Sequence, residues 1–311
     1  EYTDSIEVFS QLNYGKTALT ATELVKALLF QCDIYSKDAR LMREISFRRS
    51  CEWDAMEKQL QDPFMWSMIM PKDTIFPSHI TIVLELVFTK LYNDLLITNQ
   101  HLMFDQNSSD FIYQVCNTCL GTNKDGDYAK NVTEIWEKIQ ETYTALYNWY
   151  KNPYTYHLIG LLLWLKEYKG KDFDYHKRFT LLQEMMEEYR NNIKDVFIKY
   201  LKKEMAAIIH LEVSKKTKEG VIPWGLKYIN YNDNALQLIR ILVVFNVEDI
   251  RKQQDEVAKF PFHLLRKFNI TSLEHIHPQN LILDNIKLDT LKTWLSVKEE
   301  SLKQLKKHEL Y

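Results

Sequence analysis

The sequence predicts a mainly α-helical, multi-helix protein, and three observations carry that expectation. Only 7 glycines and 7 prolines occur in 311 residues, far below the usual share of roughly 7% and 5%, so few positions break a helix. Apolar residues recur three and four apart through most of the chain, the spacing of one helix face. A short extended segment is expected only near residues 270–278, where Pro278 pushes His277 out of the α region. Hydrophobic residues make up 46% and charged residues 26%, the balance of a globular chain with a sizeable core.

Taken in order, Thr20-x-x-Glu23 is a capping box opening a helix with Leu24, Leu28 and Cys32 at helical spacing. Asp38 to about Leu60 forms a second helix with Leu41, Ile45, Trp53, Met56 and Leu60 as its apolar positions, stopped by Asp62-Pro63. The stretch 64–80, punctuated by Pro71 and Pro77, reads as a packed connection. An apolar helix runs from His79 to about Leu96, and another ends at Leu120 before the exposed loop 121–127. Asn131 to Tyr150 is amphipathic, with Ile135, Ile139, Tyr143, Leu146 and Tyr150 on one face. Tyr156 to Leu165 is apolar all round, a buried helix too short to span a bilayer.

Helices over Asp174–Glu188 and Asn191–Val213 follow, the second with a solvated stripe of Lys194, Lys199, Lys202 and Lys203. Ile222-Pro223-Trp224-Gly225 reads as a turn. Asn232-Asp233-Asn234 caps a helix reaching Phe245, with Ile239, Leu242 and Val243 in the core. Glu248–Val257 is polar and helical, and Leu288–Leu310 is a Lys/Glu-rich helix.

A formal net charge of −2 leaves no global basic field for nucleic acid, so any DNA contact rests on local patches. The densest arginine cluster, Arg40, Arg43, Arg48 and Arg49, is the candidate DNA contact. The competing reading is a solvated face neutralised by Glu44, Glu52, Asp54 and Glu57. No 18-residue apolar run and no charged-then-apolar leader occur, so no membrane partner and a cytoplasmic location are expected. Cys116-x-x-Cys119 lacks the second pair that a zinc site needs, and it reads as two ordinary helical cysteines. Gly15-Lys16 lacks the preceding glycines of a P-loop and reads as a turn, so no nucleotide-binding residue is assigned.

The residues with chemistry to offer lie in Ser272–Asn280, where Glu274, His275 and His277 crowd beside Pro278. In an extended segment His275 and His277 share one face and Glu274 takes the other. Two same-face imidazoles can bind one metal or one phosphate, and Glu274 joins them where the site straddles the end of the strand. The chemistry that fits is metal-assisted phosphodiester hydrolysis. A neutral imidazole takes a proton from the attacking water, and a carboxylate holds a divalent cation. The plain alternative is a pair of loop histidines with structural hydrogen bonds.

Leu273-Glu274-His275-Ile276-His277-Pro278-Gln279 resembles the opening strand of an HNH (ββα-metal) nuclease. By position, the resemblance implies Glu274 as the acidic metal ligand and His275 as the general base. His277 falls on the variable position and is a further metal-ligand candidate. Phe9-Ser10-Gln11-Leu12-Asn13-Tyr14-Gly15-Lys16 through Ala27 is similar to a segment of the GmrSD-type modification-dependent restriction family. There the segment closes a ParB-like nucleotide-hydrolysing domain, a helical region follows, and an HNH-like nuclease comes last. Glu52-Trp53-Asp54, Trp149-Tyr150, Tyr156-His157-Leu158-Ile159-Gly160, Leu242–Asn246 and Phe260-Pro261-Phe262-His263-Leu264 look like further landmarks in the family's order.

The resemblance implies that residues 1–35 end a truncated ParB-like front domain, 36–257 form the helical domain and 258–311 begin an incomplete HNH-like domain. It also implies a restriction or anti-phage endonuclease acting on foreign DNA, modified or not. Mg²⁺ or Mn²⁺ would serve the nuclease, and a nucleoside triphosphate the front part. The family's Asp-Gly-Gln-Gln-Arg motif does not occur, and after Pro278 only Asn280, Asn285 and His308 remain for the rest of the nuclease site. The chain is therefore expected to be the centre of a larger enzyme, without nuclease or nucleotidase activity alone. The reading from another class is a non-catalytic helical interaction module with a degenerate nuclease motif. A homo-oligomer or a partner subunit fits either.

Overall fold

Caps written into the sequence begin four of the described helices. The computed structural model describes residues 19–31, 39–71, 76, 78–98, 101–121, 128–168, 173–209, 214–217, 220–223, 231–252 and 258–267. In α1 (Ala21–Phe30) the capping box forms as expected: Thr20 Oγ1 accepts Glu23 N–H at 3.3 Å and Glu23 Oε2 accepts Thr20 N–H at 2.8 Å. Asp62 separates α2 (Ala39–Leu60) from α3 (Pro63–Ile69), its Oδ1 accepting the N–H groups of Phe64 and Met65 at 2.8 and 3.0 Å. Pro63 sits in the first turn of α3, where its missing N–H leaves no bond unmade. The stretch expected as a connection thus contains a helix, because this proline starts one rather than interrupting one.

Asn152 plays the same part between α6 (Tyr128–Lys151) and α7 (Pro153–Glu167), accepting from Tyr154 and Thr155 N–H at 3.0 and 3.2 Å. Asp174 caps α8 (Tyr175–Asn191) through Lys177 N–H at 2.9 Å. At the start of α4 (Thr81–Thr98) the cap comes from another helix. The Glu57 carboxylate of α2 accepts Ser78 Oγ–H, His79 N–H and Ile80 N–H at 2.7, 3.0 and 2.9 Å. The remaining helices are α5 (Phe111–Leu120), α9 (Lys194–Ile209), α10 (Tyr231–Lys252) and α11 (Phe262–Lys267). The mainly α class expected from composition is the one observed.

Three local expectations are corrected. Ile222-Pro223, expected to open a turn, instead end strand β2 (Gly220–Pro223), paired antiparallel with β1 (Ser214–Thr217), Ser214 opposite Pro223. Proline is tolerated there because it ends the ladder and interrupts no inner bond. α10 is one continuous helix where two were expected. Leu242, expected in the core, is 41% exposed, and Leu41, an expected apolar position of α2, is 50% exposed. In α10 the buried stripe runs through Ile239, Val243 and Val247, one position round from Leu242.

The hub is α7. Every residue from Thr155 to Leu165 is buried, because α3, α6, α9 and α10 all pack on it. α6 feeds this core with Val132, Ile135, Ile139, Leu146 and Trp149, while Tyr143 and Tyr150 lie half-buried on the flank of that stripe. α11 docks on α3 and sets Phe262 against Gly160 of α7, where a Cβ on Gly160 would collide with the Phe262 ring. Residues 258–267, expected with the nuclease part, belong to the helical unit 1–269, and the chain divides after Asn269.

A buried ionic cluster closes the C-terminal end of α3. Glu167 accepts from Arg178 Nη2 at 2.6 Å and from Arg266 Nε at 3.0 Å. Arg178 Nη1 also donates to Ile69 O at 3.1 Å, and Arg266 Nη1 to Ser67 O and to Met70 O. Those carbonyls are the orphan acceptors of a helix end, which cations satisfy well. Burial, then repulsion from Arg266, lowers Arg178 to about 10. Cys116 is buried on α5 with its thiol pushed up by burial, and Cys119 is pushed up to about 11, so both stay protonated and unreactive, as ordinary helical cysteines do. Among the described residues no helix is long and apolar enough to cross a membrane.

Candidate nucleic-acid interface

Glu274, His275 and His277, the expected nuclease residues, lie outside the described residues, as do residues 1–18 with the Gly15-Lys16 turn and the loop 122–127. Among the described residues no three His, Cys, Asp or Glu side chains gather to hold a metal ion.

The arginine cluster of α2 does not form one patch. Arg49 is 5% exposed, its guanidinium donating to Thr133 Oγ1 at 3.0 Å and lying 6.0 Å from the centre of the Trp136 ring. A guanidinium held there does not reach a DNA phosphate, so Arg49 is corrected from a DNA contact to a packing residue. Arg40 is exposed and pairs with Glu44 at 3.5 Å, and Arg43 and Arg48 are exposed on the same helix.

A different surface gathers cations and aromatic rings. Tyr143, Tyr147 and Tyr150 climb one flank of α6 at helical spacing, and Tyr154 continues the row in the first turn of α7. Tyr143 and Tyr147 stack with centroids 5.9 Å apart, and Tyr147 and Tyr150 follow at 6.3 Å. Lys151 Nζ lies 5.5 Å from the Tyr147 ring, and Lys259 Nζ 3.7 Å from Tyr150 and 5.8 Å from Tyr156. Arg251 Cζ and Lys202 Nζ lie 4.5 and 5.5 Å from Tyr154. Among the described residues, Glu248 answers Arg251 and Asp62 answers Lys259. Glu248 pairs with Arg251 at 3.0 and 3.1 Å, and Asp62 spends its Oδ1 on the cap of α3. Burial holds Lys259 below the usual lysine range, with Asp62 opposing and Lys151 adding repulsion. An anion placed between Lys151 and Lys259 would relieve both penalties.

Such a face suits nucleic acid on two counts. Lysine and arginine neutralise phosphates without reading sequence, and tyrosine rings offer stacking platforms for unpaired bases. No stretch of sequence announces the face, because α6, α9, α10 and the segment before α11 contribute one cation each. The available signal is the row Tyr143, Tyr147, Tyr150 on a helix otherwise read for its apolar stripe, continued by Tyr154 just beyond it.

Beneath this face two of the expected landmarks, Tyr156-His157 and Phe260, meet. His157 Nε2 accepts Phe260 N–H at 3.0 Å, and Tyr156 Oη donates to Phe260 O at 2.8 Å, joining residues far apart in sequence. Glu52 Oε2 accepts from Trp136 Nε1 and Gln140 Nε2 at 3.3 and 2.8 Å, and Trp53 is buried edge-on to Phe30 at 5.9 Å. In the described residues these landmarks are therefore packing positions. Compared with known proteins, the chain matches no family model, no curated protein and no solved structure.

Proposed function

We propose that this chain is the helical core of a GmrSD-type DNA restriction endonuclease. On this reading the Lys151–Lys202–Arg251–Lys259 face holds the DNA backbone and Glu274, His275 and His277 belong to the cleavage site. The observation that supports it most is the joining of family-like landmarks at His157 and Phe260, with four cations and four tyrosine rings gathered over the joint. His275 would take the proton from the attacking water, and Glu274 with His277 would hold Mg²⁺ or Mn²⁺, a donor set of carboxylate and imidazole that suits Mn²⁺ well. The bound metal supplies charge stabilisation at the scissile phosphate. Nucleotide hydrolysis falls to a front domain on the same reading.

The test is DNA affinity of the 311-residue chain as a function of salt. Binding is expected to weaken steeply between about 50 and 200 mM salt, and Lys151→Ala/Lys202→Ala/Lys259→Ala is expected to flatten the slope of log K against log[salt] by about 0.9 for each phosphate no longer neutralised. No measurable affinity at about 50 mM salt, or a slope unchanged in the triple variant, rejects the role of this face.

A non-catalytic helical module is the second reading, favoured by the use of Trp53, Tyr156, His157 and Phe260 in packing. The intact enzyme separates the two. Reduction of cleavage by about 10²–10⁴-fold in His275→Ala, with folding and DNA binding kept, supports the nuclease. An intact protein that never cleaves supports the module.

A further inference from the structure

A second cleft, of about 780 Å³, lies between the start of α1, α4, the approach to α5 and the start of α8. Its volume is that of a small-molecule site. Its lining has one sign of charge: Glu85 and Asp110 are its carboxylates, His176 is the one basic group, and no lysine or arginine contributes among the described residues. Glu85 spends one oxygen, Oε2, on the Tyr175 hydroxyl, and among the described residues neither carboxylate has a cationic partner. Burial pushes the Glu85 carboxyl up, against the Tyr175 hydrogen bond that pulls it down. A carboxylate in that setting gains more than an exposed one from an incoming cation.

The cleft also has aromatic walls. Phe76 and Tyr175 meet at a tilt with centroids 5.8 Å apart, and Phe179 stacks behind Tyr175 at 6.1 Å. Ring faces beside an uncompensated carboxylate are the combination that receives an ammonium group: the rings attract the cation through their quadrupoles and the carboxylate takes the charge. A hydrated metal ion gains little from the rings, and an anion is repelled by both carboxylates. We propose that this cleft binds a small organic cation, an alkylated or primary ammonium on a short apolar stem, with Glu85 as its charge partner and the Phe76 and Tyr175 rings as its walls. The site is separate from the DNA face, and its test involves no nucleic acid.

The experiment is titration calorimetry of the 311-residue chain with choline, with putrescine and with the neutral tert-butyl isostere of choline. Saturable binding of choline or putrescine is expected, with the neutral isostere weaker by roughly tenfold or more. Glu85→Gln keeps an acceptor for the Tyr175 hydroxyl, so the fold is preserved. It should weaken choline roughly 10- to 100-fold, the range expected when a charge-assisted interaction is removed. Tyr175→Phe keeps the ring and should retain most of the affinity. Equal binding of choline and its isostere, unchanged binding in Glu85→Gln, or no binding of either cation at millimolar concentration overturns the proposal.

Discussion

The ring of His157 bridges two backbone groups: Nδ1 donates to Pro153 O at 2.6 Å while Nε2 accepts Phe260 N–H at 3.0 Å. Only the neutral ring can do both, because a proton on Nε2 would face the Phe260 N–H. Burial, reinforced by Arg251 and Lys259 and opposed by the Pro153 bond and Glu248, holds the imidazolium below its usual 6.5. The folded pKa is lowered, so the unfolded chain takes up a proton that the folded chain refuses. Stability from this group is present above about pH 6.5 and is lost progressively as pH falls from there through the lowered folded value. Urea denaturation from about pH 5 to 8 should show this loss, and His157→Gln, which does not titrate, should flatten it. An identical pH profile in the variant rejects the account.

Gly160 and Phe262 form a steric pair. Gly160→Ala should destabilise by about 1–3 kcal/mol through overpacking against the ring. Phe262→Ala should cost about 3–5 kcal/mol through the cavity it leaves. The double variant should cost less than the two together, since the new methyl enters the vacated space. Strict additivity in thermal or urea melts would show that the two do not touch in solution.

Glu167 neutralises two buried guanidiniums, with Arg178 and Arg266 side chains only 2% and 4% exposed. Glu167→Gln should destabilise by about 2–4 kcal/mol, moderated by the partial exposure of Glu167 itself. Replacing Arg178 in the same background should recover part of that stability, because one uncompensated charge leaves with it. A Glu167→Gln protein as stable as the parent would mean that water reaches the cluster.

The arginines of α2 should separate by role. Arg49→Ala should lower stability by about 1–3 kcal/mol, since it removes the Thr133 bond and the packing on Trp136. Arg40→Ala/Arg43→Ala/Arg48→Ala should leave melting nearly unchanged, as exposed substitutions do. If that triple variant reduces DNA affinity more than the Lys151, Lys202 and Lys259 changes, the interface lies on α2.

What is legible in the sequence is local. The capping box at Thr20 and the all-round apolar run of α7 need only neighbouring residues to be recognised. α3 is hidden because a proline-rich stretch suggests a connection, yet Asp62-Pro63 is an N-cap followed by a first-turn proline. Apolarity alone places Leu242 in the core, and only the packing partners fix which side of a helix is covered. The Lys–Tyr face and the Glu85 cleft are invisible for one reason: each is assembled from segments far apart in the chain. Glu274, His275 and His277 stand out because their chemistry is compact in sequence.

α7 has no side fit for water, and its partners arrive on the ribosome at very different times. α3 and α6 precede it, whereas α9, α10 and the Phe262 that covers Gly160 emerge only after it. During that interval a nascent chain exposes the apolar helix on its unfinished side, the condition under which chaperones engage and unprotected chains self-associate. A product ending at Lys252 would keep the Gly160 patch that Phe262 covers open permanently. It should precipitate or co-purify with a chaperone, while the chain that reaches Lys267 stays dispersed.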